Sequence, residues 1–225
     1  MRHFVEELGT LQSRLLEMGG LVETAVHESI LALTRRNPAR ARQVLADEAH
    51  INRMQIEIDD RAVRLIALHQ PMASDLRLLT AAIKINSDLE RIGDLAVNIA
   101  ERALSLMRAP EVKPLIDMPR LAALTESMVR DSLDSFVKRD GALARRVLLS
   151  DDAVDALRDT ICKELIGFME RDPLVIPRAL DLILVARNLE RIADHATNIA
   201  EDAVYLAEGV DVRHHAEVRG EETVP

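Results

Sequence analysis

Apolar residues recur every three or four positions through almost the whole chain, and the pattern breaks only where Pro, Gly, Asn or Asp gather. Leu8, Leu11, Leu15, Met18, Val22, Val26, Ile30 and Leu33 form the first such stripe and predict a helix from about His3 to Arg36. Asn37 followed by Pro38 ends it and starts the next, because Asn caps a helix start and Pro fits the first turn. The same spacing predicts a second helix to about His69, a break at Gln70 and Pro71, and a third helix from about Ala73 to Arg108. A fourth is expected from about Leu121 to Arg139, a fifth from the Asp140–Gly141 turn to about Arg171, and a sixth after Asp172 and Pro173 to about Glu208. Helices of about 30 residues reach roughly 45 Å, and long helices joined by short turns lie antiparallel.

The pattern then repeats. Leu89–Glu101, LERIGDLAVNIAE, returns as LERIADHATNIAE at Leu189–Glu201, with ten of thirteen positions identical, the polar ones included. At an offset of 103, Glu23 aligns with Glu126, Glu28 with Asp131, Val44 with Val147 and Glu48 with Asp151; the offset falls to 100 at the motif. An all-α fold of two tandem three-helix bundles related by internal duplication follows. The first bundle is expected over residues 1–108 and the second over 120–208. Between them lies a Pro-rich linker, 109–119, and a polar, aperiodic tail, 209–225, is expected to be disordered at its end.

Composition narrows the class. With 225 residues, 48% hydrophobic and only 2% aromatic, the core is aliphatic, as in helix bundles. A net charge of −9 repels phosphate backbones and argues against nucleic-acid binding. The single cysteine, Cys162, sits among apolar neighbours and reads as an ordinary buried thiol in a reducing compartment. The start of the chain carries acids where a signal peptide needs a basic and then apolar run. The longest apolar run contains Asp181 and falls short of the ~20 residues of a membrane span, so no direct membrane insertion is expected.

Helical geometry separates the repeated motif into two faces. Glu90, Asp94, Asn98 and Glu101 fall within a stripe roughly 80° wide, and Glu190, Asp194, Asn198 and Glu201 do the same. Leu89, Ile92, Ala96 and Ile99, with their counterparts Leu189, Ile192, Ala196 and Ile199, form the opposite face and belong in each bundle's core. Acids four residues apart repel one another, and no Lys or Arg stands within either stripe. Three readings stay open: a site for a cation with oxygen ligands such as Mg²⁺, Mn²⁺ or iron, a polar docking surface, or a solvated face. Glu23 with Glu126 and Glu28 with Asp131 are candidates for facing carboxylates. Gly93, which is Ala193 in the second copy, points to a neighbouring helix that admits only a small residue.

Other motifs carry less. Asp47–His50 spells DEAH, but no Gly-rich phosphate loop accompanies it. Asp47 with His50 has the spacing of a di-iron ligand pair, yet it occurs once and without a Glu-x-x-His partner. His195 is a marginal ligand beside Asp194, and His214 and His215 lie in the polar tail. No Ser, His and acid spacing points to catalysis.

With these residues in view, the chain resembles the PhoU family, accessory regulators of high-affinity phosphate transport. The resemblance covers nearly the whole length through Met18–Glu23 (MGGLVE), Gln70–Arg77 (QPMASDLR), both LERI-small-Asp motifs with their Asn, and Glu208–His214 (EGVDVRH). It implies an all-helical, cytosolic, often dimeric protein that is not an enzyme and reaches the membrane only through partners. Those partners would be the ATPase subunit of the phosphate ABC transporter and a sensor histidine kinase, with the phosphate-starvation response held off when phosphate is plentiful. The family's Glu/Asp-x-x-x-Asp motif is associated with metal, in some members as multinuclear iron clusters. It maps onto Glu90 with Asp94 and Glu190 with Asp194.

Overall fold

The computed structural model describes residues 2–113, 115 and 117–213. Six α-helices account for most of them: α1 (Arg2–Thr34), α2 (Pro38–His69), α3 (Ser74–Leu106), α4 (Asp117–Lys138), α5 (Gly141–Arg171) and α6 (Ile176–Glu208). A single 3₁₀ turn, Pro173–Val175, precedes α6. Helices α1, α2 and α3 pack on one another, as do α4, α5 and α6, and the two sets meet through α3 against α6 and α1 against α4. The duplicated architecture read from the sequence is therefore the fold.

Turn chemistry sets the helix ends. The Asn37 side chain accepts from the Ala39 N–H at 3.0 Å, with Pro38 in the first turn of α2. Asp140 does the same for α5 through the Leu143 N–H, and Asp172 for the 3₁₀ turn through Leu174. Gly209, at φ 74°, closes α6 in the left-handed conformation that glycine adopts without strain.

The linker departs from expectation. Helix α4 begins at Asp117 rather than near Leu121. Arg120 pairs with Asp117 at 3.2 Å, and Pro119 sits in a first turn whose N–H groups have no intrahelical partner to lose. The preceding stretch is pinned to the end of α3: Arg36 donates to the carbonyls of Leu106, Met107 and Ala109 at 3.4, 2.9 and 2.7 Å. These are carbonyls that a helix end leaves unpaired.

The core is aliphatic, as composition requires. Leu89, Ile92, Ala96 and Ile99 and their four counterparts are fully buried, which places the apolar face of each motif inside. Cys162 is only half-buried rather than a core thiol, and partial burial pushes its pKa up. Of the polar tail, Val212 is buried against the body; His214 and everything after it lie outside the described residues.

Gly93 is buried, and a Cβ there would meet two Ile51 side-chain carbons of α2 at 3.4 Å. That is ordinary contact for a methyl group and leaves no room beyond it, in keeping with the buried Ala193 of the second half. Gly93→Ala is therefore expected to stabilise the protein by about 0.5–1 kcal/mol through helix propensity. A lower midpoint in urea denaturation would show that α2 cannot accept the methyl group.

Candidate functional site

The acidic face of α6 lies along α5, with Glu190 half-buried and Asp194 still exposed to solvent. The two helices run antiparallel, and their register sets Asp151 beside Asp194 and Asp155 beside Glu190, two acidic rungs one helical turn apart. Carboxylates set this close raise one another's proton affinity, and packing strips away water that would stabilise the charge. Asp151 shows the sum of these effects. Partial burial, then Asp194 and Asp155, raise its pKa to about 6. Glu190 and Asp194 are raised for the same two reasons, loss of hydration first and a neighbouring acid second.

One cation enters this cluster. Arg158 of α5 pairs with Asp155 at 2.8 Å and Asp159 at 3.0 Å and stands 3.7 Å from Glu190. Among the described residues neither Asp151 nor Asp194 has an ion-pair partner, and His195, Arg158 and Arg191 offset only part of the rise at Asp194.

The first-half motif is built alike but carries fewer acids. Half-buried Glu90 has its pKa raised by desolvation and then by Asp94. The positions aligned with Asp151 and Asp155 are Glu48 and Asn52, so one of the four carboxylates of the second site is an amide in the first. Asn98 and Glu101 are exposed farther along α3, Glu101 about 10 Å beyond Asp94 by helical rise.

In the second motif the four polar residues divide between two neighbours. Glu190 and Asp194 turn to α5, whereas Asn198 and Glu201 line a cleft between α6 and α3. There Asn198 donates to Asp88 at 3.4 Å, and His195 shares a 2.8 Å contact with the same carboxylate. His195 thus bridges the two halves. Among the described residues, no three His, Cys, Asp or Glu side chains close round a single point as they stand.

The acids of the first helices form a separate group. Glu23 of α1 faces Arg130, Asp134, Glu126 and Asp131 of α4, and desolvation, the largest effect on it, raises its pKa. His27 contacts Glu126 at 3.2 Å, and Glu28 is held by Arg40 at 2.5 Å. Glu23 and His27 meet α4, whereas Glu28 ties α1 to α2. The facing carboxylates come from α5 instead, and two signals in the sequence mark them: Asp151 and Asp155 lie four apart on one helix, and Asp151 aligns with Glu48.

Comparison with known proteins agrees with the duplicated six-helix fold. The PhoU domain model matches the chain twice, over residues 15–103 and 118–203, one match for each set of three helices. A protein of Pseudomonas aeruginosa described as a phosphate-specific transport system accessory protein PhoU homolog is 41% identical over 224 residues, covering 99% of this chain and 93% of its own. A homolog of the same description from Aquifex aeolicus is 42% identical over 217 residues, covering 96% of this chain and 98% of its own. The crystal structure of PhoU from Pseudomonas aeruginosa superposes with a TM-score of 0.90 at 41% identity, over 92% of this chain and 100% of that one. The phosphate transport system regulatory protein PhoU from Streptococcus pneumoniae gives 0.85 at 31% identity, over 93% and 99%. Two domain matches, near-complete relatives and a shared arrangement of six helices together place the chain in the PhoU family.

Proposed function

We propose that this protein is a cytosolic, non-enzymatic regulator of phosphate homeostasis. It acts as an accessory protein of a phosphate-specific transport system, the role that its relatives' descriptions give them. In this reading it couples the ATPase subunit of the high-affinity phosphate transporter to a sensor histidine kinase, restrains the starvation response and works as a homodimer. It touches the membrane only through those partners; among the described residues no helix is long and apolar enough to cross one.

The observation that carries a metal-dependent version of this role is the pair of acidic rungs between α5 and α6. Asp151, Glu190 and Asp194, whose proton affinities are raised by lost hydration and then by neighbouring acids, form with Asp155 a donor set suited to a hard cation. Asp151, Asp155, Glu190 and Asp194 would hold a divalent ion or iron in the second half, and Glu48, Glu90 and Asp94 in the first. A bound cation would give Asp151 and Asp194 the direct counter-charge that no ion pair among the described residues supplies. Asn98, Asn198, Glu101 and Glu201 would then act outside the first coordination sphere.

Elemental analysis of the purified protein tests this reading after exposure to Mg²⁺, Mn²⁺ or Fe²⁺. The wild type is expected to retain metal, and a variant carrying Glu90→Gln, Asp94→Asn, Glu190→Gln and Asp194→Asn to retain less than a tenth as much. Equal content in the two would remove the metal.

A metal-free reading is favoured by Arg158, which shows a guanidinium already serving as counter-charge among these acids. An arginine of a partner protein would then occupy the Asp151–Asp194 rung, and co-purification of the kinase or ATPase subunit would fall with rising salt.

A further inference from the structure

At the end of the first half farthest from the Gln70–Ala73 turn, the start of α2 and the end of α3 enclose an open cleft of about 520 Å³. Arg36, Arg42 and Arg108 line it, with Pro38, Leu104 and Met107, and no acid is among the lining residues. Arg36 is engaged by the α3 carbonyls. Arg42 and Arg108 are exposed, and among the described residues neither has an ion-pair partner. In a chain of net charge −9, two unpaired arginines over an apolar floor run against the overall balance.

The duplication supplies the comparison. Arg36, Pro38 and Arg42 align with Arg139, Gly141 and Arg145, and Leu104, Met107 and Arg108 align with Val204, Ala207 and Glu208. The second copy is sealed by its own carboxylate. Glu208 reaches Arg145 at 2.8 Å, and its side chain lies so close over Gly141 that a Cβ there would collide with it. Where the second half has a glutamate, the first half has Arg108, which reverses the charge and leaves the arginine at position 42 facing another cation.

We propose that the first-half cleft is a docking site for an acidic segment of a partner protein. A carboxylate of that segment takes between Arg42 and Arg108 the place that Glu208 takes on Arg145, and an adjacent apolar side chain lies on Leu104 and Met107. Guanidinium groups bind carboxylates through paired N–H donors, and the apolar floor selects a peptide over a bare inorganic anion. The inference does not depend on whether the acidic rungs hold metal.

Fluorescence anisotropy on the full chain tests it, with a labelled peptide alternating Glu and Leu as the probe and its Gln and Leu counterpart as control. The wild type is expected to bind the Glu peptide at least tenfold more tightly than the Gln peptide. Arg108→Glu gives the first half the residue that seals the second, so it should keep the wild-type melting temperature and lose at least tenfold in affinity. Glu208→Arg should open the second cleft and raise the stoichiometry from one to two. Unchanged binding by a folded Arg108→Glu variant, or no preference for the Glu peptide, would overturn the proposal. So would complete displacement of the peptide by millimolar inorganic phosphate, which would mark the cleft as a phosphate site.

Discussion

Truncating Phe136 to alanine is expected to destabilise the protein by about 3–5 kcal/mol, the largest single-residue effect anticipated. Phe136 is among the largest fully buried side chains, 1% exposed near the end of α4, and among the described residues it is the one phenylalanine in a core otherwise built from aliphatic groups. Removing its ring deletes the area it keeps from water and leaves a cavity that rigid helices cannot collapse to fill. For a chain of this size the melting temperature should fall by roughly 10 °C. The aligned position in the first half is Leu33, itself buried, so Phe136→Leu should cost less than about 1.5 kcal/mol. Urea denaturation of the two variants provides the check. A loss under about 1 kcal/mol for Phe136→Ala would mean that α4 shifts to close the space.

The second large effect is linked to pH. The Asp151 carboxyl titrates at about 6 in the folded protein against 3.8 ordinarily, because of partial burial first and Asp194 and Asp155 next. Folding therefore takes up a proton between those values. The associated stability is fully present below about 3.8 and is lost as the pH rises through about 6. A shift of this size is worth about 3 kcal/mol by linkage, but the group is only half-buried, and water screening reduces the expectation to about 1–2 kcal/mol. Asp151→Asn should thus stabilise the metal-free protein by that amount at pH 7 and by nothing measurable near pH 4. Chemical denaturation of both proteins across that range decides it, and an equal gain at both values would rule out charge as the cause. A divalent cation bound by the four carboxylates would reverse the ranking at pH 7, stabilising wild type more than Asp151→Asn.

The fold was legible because the residues that break helices stand at their ends. Asn37, Asp140 and Asp172 each cap the helix or turn that follows, as the residue type requires. The start of α4 was not legible, since a proline three residues into a helix and a proline in a linker look alike until the fold shows which N–H groups lack partners. The apolar and acidic faces of the motif also followed from spacing, because 100° per residue leaves little freedom. Its neighbours did not. A stripe on α6 shows which residues point outward but not whether α4 or α5 supplies the facing acids, and that choice separates Glu126 and Asp131 from Asp151 and Asp155. Asn198 and Glu201 diverge from Glu190 and Asp194 for a related reason: α5 flanks one part of the stripe and α3 another, and long-range packing decides which.

The contact between α3 and α6 has a consequence for a chain made of two similar halves. Lys84 pairs with Asp202 at 2.8 Å, and Arg102 pairs with Asp181 at 2.9 Å, so both cations sit on α3 and both acids on α6. Position 102 is equivalent to 202, and the repeat has changed the sign of the charge there. If two first halves met through this surface in the same register, Lys84 would face Arg102. If two second halves met, Asp181 would face Asp202. Only the unlike halves match, so a newly made chain carries in four side chains the instruction to close on itself rather than exchange halves with its neighbour.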